Sequence, residues 1–235
     1  MAQTIAVLGA GPGLGRSVAR RFGREGFEVA LVARTPARLD GLAAELAADG
    51  ITVAGFPADL GDRAALPGLI DAITARFGPI DVLQYAPSGP EWIEDQAGVL
   101  EAGPESFEFP LDLLLRTPAE LVRRLVPGMI ERGRGAVLFG LSVGASVPYP
   151  QAANQCTAAM AARGYLRILS AALEGTGVYA GLLQVGGMVT GSDGARYYLE
   201  KYRPAQVPPG LDPDDLAGAC WDLYLKRDRF EVIMT

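Results

Sequence analysis

The sequence predicts an α/β fold, a doubly wound parallel sheet of about seven strands flanked by helices, and three observations predict it. Short apolar runs alternate with helical stretches along the chain, glycines recur where a helix should end, and the first strand runs into a glycine-rich turn that opens a helix. With 235 residues, 49% of them hydrophobic, the chain can bury one full core, and its length fits one large domain better than two small ones.

The elements follow in order. Strand 5–8 leads through the glycine turn to helix 17–24, then come strand 29–32, helix 37–48, strand 51–56, helix 64–77 and strand 80–84. Gly26, Gly50 and Gly78 each precede a strand, where a helix C-terminus needs a residue that tolerates positive φ. The second half continues with a long helix 113–131, strand 136–141, helix 151–173, strand 178–184, helix 213–225 and a last strand 230–234. No linker and no internal repeat interrupts this order. Two stretches rich in Gly and Pro, 86–110 and 186–210, break the alternation; excursions after strand ends are expected to shape a ligand cleft.

Composition removes several function classes. The 21 basic and 27 acidic residues give a net charge of -6 with no dense Lys/Arg run, so nucleic acid is not expected as a partner. Cys156 and Cys220, in a chain without histidine, make neither a disulfide framework nor a zinc site, so no metal is expected. A reducing compartment, the cytoplasm, is the expected location. The N-terminal apolar run is of strand length with no basic stretch before it, and nothing later approaches the roughly 20 apolar residues that span a bilayer.

The turn reads Gly9-Ala10-Gly11-Pro12-Gly13-Leu14-Gly15. Leu14 occupies the last glycine of G-x-G-x-x-G, so the spacing that fits is G-x-x-x-G-x-G on Gly9, Gly13 and Gly15. Between a strand and a helix, such a turn lets a pyrophosphate approach backbone amides and the helix N-terminus, which a side chain would obstruct. Gly9, Gly13, Leu14 and Gly15 are therefore candidate dinucleotide contacts. The second strand ends at Ala33-Arg34. An NAD-binding protein would place an acidic residue there on the ribose 2'-hydroxyl, whereas a guanidinium suits a 2'-phosphate. The expected cofactor is NADP(H), with NAD(H) second, and Arg16 is a candidate helper; Arg34 could also serve as a solvated loop residue.

In size, strand count and glycine spacing, over essentially its whole length, the chain resembles the short-chain dehydrogenase/reductase family, with a Rossmann-like fold as the implied architecture. The family's threonine before the first glycine is Leu8 here. The resemblance implies that Asp59 and Leu60 contact the adenine, although Asp59 could equally cap the next helix. Of the family's Asn-Asn-Ala-Gly, the segment Gln84-Tyr85-Ala86-Pro87 keeps only Ala86.

The same resemblance implies a tyrosine that transfers a proton, a lysine one helical turn later that lowers its pKa, a serine that orients the substrate oxygen and an asparagine in the preceding helix. Ser142 matches the serine. The family's usual separation, anchored on residues 169–173 and the turn Gly175-Thr176-Gly177-Val178, puts Gln155 at the tyrosine, Ala159 at the lysine and Leu114 at the asparagine. The only lysines are Lys201 and Lys226, and residues 151–163 hold neither tyrosine nor lysine. Tyr149 is a candidate replacement donor or a pocket wall, and Gln155 could hydrogen-bond a substrate carbonyl. Tyr85, Trp92, Tyr197 and Tyr198 are expected to give the pocket aromatic surface, and Cys156 to be a buried small thiol.

Three functions fit these residues. The first is an NADP(H)-dependent oxidoreductase of atypical mechanism acting on a small carbonyl, imine or activated alkene. The second is a non-redox cyclase, isomerase or lyase with retained NADP(H), and the third a non-catalytic NADP(H)-binding protein. The family resemblance also implies a homodimer or homotetramer, paired through helices 113–131 and 151–173.

Overall fold

Strand β1 (Thr4–Leu8) is buried along its whole length. Ile5 and Val7 point into one hydrophobic cluster, Ala6 and Leu8 into another on the opposite face. A strand apolar on both faces belongs in the middle of a covered sheet. In the computed structural model, which describes residues 2–89, 91–203 and 210–235, β1 does lie there.

Helix α1 (Leu14–Arg24), β2 (Glu28–Ala33), α2 (Pro36–Ala48), β3 (Val53–Pro57) and α3 (Leu66–Phe77) carry the chain outward from β1, and β4 (Ile80–Tyr85) returns to its other side. Two short helices follow, α4 (Glu91–Glu94) and α5 (Glu108–Leu111), and then α6 (Thr117–Glu131), β5 (Gly135–Ser142), α7 (Ala153–Ala172) and β6 (Val178–Val185). A small ladder pairs β7 (Met188–Val189) with β8 (Gly210–Leu211), with α8 (Asp193–Tyr202) between them. Helix α9 (Pro213–Lys226) and β9 (Glu231–Met234) close the chain.

The large sheet has the order β3-β2-β1-β4-β5-β6-β9, with every neighbouring pair parallel. Helices α1, α2 and α9 supply Phe22, Leu42 and Leu216 to one face, while α3, α6 and α7 supply Ile73, Leu121 and Leu166 to the other. Strand order reverses between β1 and β4, which opens a crevice at their carboxyl ends. The expected doubly wound sheet is therefore the observed one. The predicted strands and helices fall on these elements, and Gly26, Gly50 and Gly78 have φ of +89°, +80° and +83°. Pro90 and residues 204–209, parts of the two predicted irregular stretches, lie outside the described residues. Among the described residues, no helix is long and apolar enough to cross a membrane.

The predicted helix 113–131 differs from the observed one. Residues Asp112–Arg116 form a π-helical stretch before α6 begins. Pro118 has no N–H to return to the carbonyl of Leu114, and the Leu113 carbonyl accepts the Tyr85 hydroxyl at 2.5 Å. Thr117 Oγ1 donates to the Leu60 carbonyl at 2.8 Å, which fixes the start of α6.

Burial also sets an alkaline limit. The Cys220 thiol is pushed from its ordinary 9.0 up to about 12, and the Tyr179 phenol from 10.0 to about 12, by desolvation of their charged forms. The unfolded chain loses both protons before the folded one does. Their contribution to stability is therefore complete below pH 9 and is lost as pH rises from there toward 12. Chemical-denaturation midpoints should fall progressively above pH 9, and Cys220→Ala should flatten the first part of that decline.

Candidate active site

The glycine turn is tied down at its first residue, where Gly9 N and Ala10 N both donate to the Val32 carbonyl at 3.0 Å. Gly9 has φ +97°, and a Cβ on it would lie 2.6 Å from the Ala86 carbonyl oxygen at the end of β4. A Cβ on Gly15 would lie 2.6 Å from the Gly9 carbonyl oxygen, and one on Gly13 would lie 2.9 Å from Ser192 Cβ. These three glycines are thus needed first by the chain's own packing. Gly11, which the spacing left unassigned, is the one that faces open space. Helix α1 begins at this turn with no side-chain cap and no acidic residue in its first turn. Its leading N–H groups suit an anion.

A cleft of about 170 Å³ opens over the turn. Gly9, Gly13, Leu14, Gly15, Arg34, Asp59, Leu60 and Ala86, all predicted contacts, line it. Arg16 does not line it; its guanidinium turns toward α2 and stands 3.8 Å from Glu45, a carboxylate it shares with Arg20. Asp59 Oδ1 accepts from Gly61 N at 2.9 Å, stiffening the turn, while the cap of the following helical turn falls to Asp62, which accepts from Ala64 N. The capping alternative for Asp59 is thereby taken by its neighbour. Both irregular stretches contribute walls: Trp92 and Phe109, with ring centroids 6.2 Å apart, from the first, and Ser192, Asp193 and Gly194 from the second.

The other predicted site residues lie elsewhere. Ser142 is exposed at the end of β5, and Tyr149 is 38% exposed. Both approach Gly144, where a Cβ would lie 3.0 Å from Ser142 Oγ, 2.9 Å from Cys156 Sγ and 3.7 Å from Tyr149 Cδ2. Gln155 is buried at the start of α7, and its amide nitrogen donates to the Trp92 carbonyl. That group holds α4 and does not line the cleft, contrary to a role on a substrate carbonyl. Ala159 is 2% exposed and Leu114 4%, both within the core. Tyr85, expected as pocket surface, is fully buried at the end of β4, and desolvation holds its phenol well above its ordinary range. Tyr197 bonds Glu94, joining α8 to α4, and Tyr198 packs on Tyr202 at 4.9 Å.

Asn154 carries more of the site than sequence reasoning assigned it. Its Oδ1 accepts from Ala97 N at 3.1 Å and Gln155 N at 2.9 Å, and its Nδ2 donates to the carbonyls of Asp95 at 2.7 Å and Ser106 at 3.1 Å. The signal was an amide side chain beside Gln155 at a helix start, where such groups satisfy unpaired backbone.

Comparison with known proteins bears on these features. A family model described as short chain dehydrogenase matches residues 3–197. The chain is 33% identical over 193 residues to a short chain dehydrogenase of Pseudocercospora fijiensis, a match covering 78% of this chain and 59% of that protein. It spans less than two thirds of the length of this and of other curated relatives. It is also 31% identical to 1-deoxy-11-beta-hydroxypentalenate dehydrogenase of Streptomyces exfoliatus, over 95% of this chain and 80% of that one. The fold is similar to that of L-sorbose reductase from Gluconobacter frateurii, solved with NADPH and L-sorbose. That match has a TM-score of 0.82 at 22% identity and covers 99% of this chain and 95% of that chain.

Proposed function

The chain belongs to the short chain dehydrogenase family, and from that premise we propose that it is an NADP(H)-dependent oxidoreductase whose proton does not come from α7. One observation carries the reading: an uncapped helix N-terminus, Arg34 and the Asp59-Leu60 pair line a single cleft, with Ala33 in place of a carboxylate at the end of β2. The residues present fit the cofactor. Amides at the start of α1 would hold the pyrophosphate, Arg34 would pair with the 2'-phosphate, and the Asp59 carboxylate would accept from the adenine amino group over Leu60. When bound, the nicotinamide supplies or accepts a hydride. Ser142 and Tyr149, which meet at Gly144 outside the lining of that cleft, would serve a substrate that extends past it, Ser142 donating to its oxygen or nitrogen and Tyr149 or water delivering the proton. That division suits an imine or an activated alkene, which asks less of an acid than a ketone does.

A specific observation favours a second reading, a non-redox cyclase, isomerase or lyase that retains the cofactor. Ala159 sits in the core and Gln155 is spent on the Trp92 carbonyl, so neither of these α7 positions offers an acid or a base. Stereospecifically deuterated NADPH separates the two. Label in the product is expected; product formed without label or NADPH consumption would establish the second reading instead. Arg34→Ala should weaken NADPH about 10- to 100-fold and leave NADH unchanged, and Tyr149→Phe with undiminished turnover would assign the proton to water. We also infer a homodimer on the outer faces of α6 and α7, where Ile130, Met160 and Ile168 are exposed.

A further inference from the structure

At the end of β2 the cleft has a corner suited to an anion. Helix α2 starts there without a side-chain cap and without an acidic residue in its first turn, and Arg34, Thr35 and Arg38 line the same wall. The anion that reaches this corner is the chain's own. Asp193, the first residue of α8, also lines the cleft, and its Oδ2 stands 2.6 Å from Arg38 Nη1. The carboxylate is mostly covered, with 17% of its side chain exposed against 45% for Arg38. Its other oxygen is held by Arg196 within α8, and Ser192 caps that helix by accepting from Ala195 N at 3.1 Å.

Resting on the dinucleotide reading of this cleft, we propose that Arg38 is a second selector of the 2'-phosphate and Asp193 its built-in competitor. A 2'-phosphorylated dinucleotide takes Arg38 from Asp193; an unphosphorylated one has no need to. Two physical reasons make the exchange feasible. A phosphate brings more charge and more acceptor oxygens than the single carboxylate oxygen it replaces. Asp193 is not stranded by the loss, because Arg196 and the N-terminus of α8 still stabilise it. The exchange also has reach. Helix α8 touches the glycine turn through Ser192 on Gly13 and touches α4 through Tyr197 on Glu94, so untying it from α2 changes the hold on a helix whose first residues wall part of the cleft.

Calorimetric titration of the full chain with NADPH, NADH and adenosine 2',5'-bisphosphate tests this. Asp193→Asn should tighten NADPH and the bisphosphate about fivefold and leave NADH unchanged. Arg38→Gln should weaken the two phosphorylated ligands alone, by a larger factor in the Asp193→Asn background than in the parent, because the competitor is then absent. Melting temperatures of the same samples report folding. An Asp193→Asn variant that binds NADPH no more tightly, or an Arg38→Gln variant that loses NADH as much as NADPH, would overturn the proposal. NADPH binding that depends on Arg34 but ignores Arg38 and Asp193 overturns it while leaving the dinucleotide reading intact. Absence of NADPH binding in the parent and every variant overturns both.

Discussion

Asn154→Ala should destabilise the protein by about 3 kcal/mol, a drop in melting temperature of about 6–12 °C for a chain of this size. The substitution removes four hydrogen bonds at once and leaves two N–H groups and two carbonyls, at a junction that is partly buried, without their partners. An unsatisfied buried polar group costs more than the bond it lost was worth. The damage should be directional as well. The side chain joins the start of α7 to residues 95–106, a stretch continuous with the Trp92 and Phe109 walls of the cleft, so amide exchange there should accelerate before the sheet opens. Asn154→Asp keeps both accepting contacts but turns a buried carboxylate oxygen onto the carbonyls of Asp95 and Ser106, and should cost at least as much as alanine. A loss below about 1 kcal/mol for alanine would show that the junction re-forms without the amide.

Gly9→Ala should have the other large effect, on stability and ligand binding together. The residue's φ of +97° is costly for any side chain, and the new Cβ would meet backbone, with the Ala86 carbonyl oxygen at 2.6 Å and Pro87 Cα at 2.8 Å. Backbone cannot rotate aside as a side-chain tip can. The turn must withdraw from β4, at a cost of about 2–4 kcal/mol, and NADPH affinity should fall by about 100-fold or more. Gly11→Ala is the matched control. Nothing lies within 4 Å of its Cβ, so it should melt with the parent while still weakening the cofactor by crowding the open cleft. Thermal melts and titrations of the two variants decide the matter, and a Gly9→Ala variant that binds NADPH as the parent does would refute the role given to the turn.

Much of the architecture was legible because it rests on local patterns. The apolar runs at β1, β2 and β4 are covered on both faces, and the glycines before the strands mark helix ends through backbone sterics, which need no knowledge of tertiary contacts. Cleft residues that follow strand ends, such as Arg34 and Asp59, were legible for the same reason. What escaped depends on partners far away in the chain. Arg16 read as a phosphate ligand until Glu45 on α2 claimed it. Tyr85 read as pocket surface until the carbonyl of Leu113 and Phe139, 5.5 Å away ring to ring, enclosed it. The π-helical stretch before α6 needed both Pro118 and that same carbonyl. The Arg38–Asp193 pair joins two segments whose proximity only the folded sheet creates.

The bond from Gln155 to the Trp92 carbonyl bears on what positions 155 and 159 can accept. Tyrosine at 155 would abolish a tether before it furnished a proton, and lysine at 159 would drive an ammonium into a position 2% exposed among Leu166 and its core neighbours. The first replacement is not tolerable until α4, which bears Trp92, has found another anchor, and the second not until the core around position 159 makes room. Position 155 is therefore part of the masonry: whatever chemistry the cleft performs, the side chain there is committed to holding α4 against the start of α7.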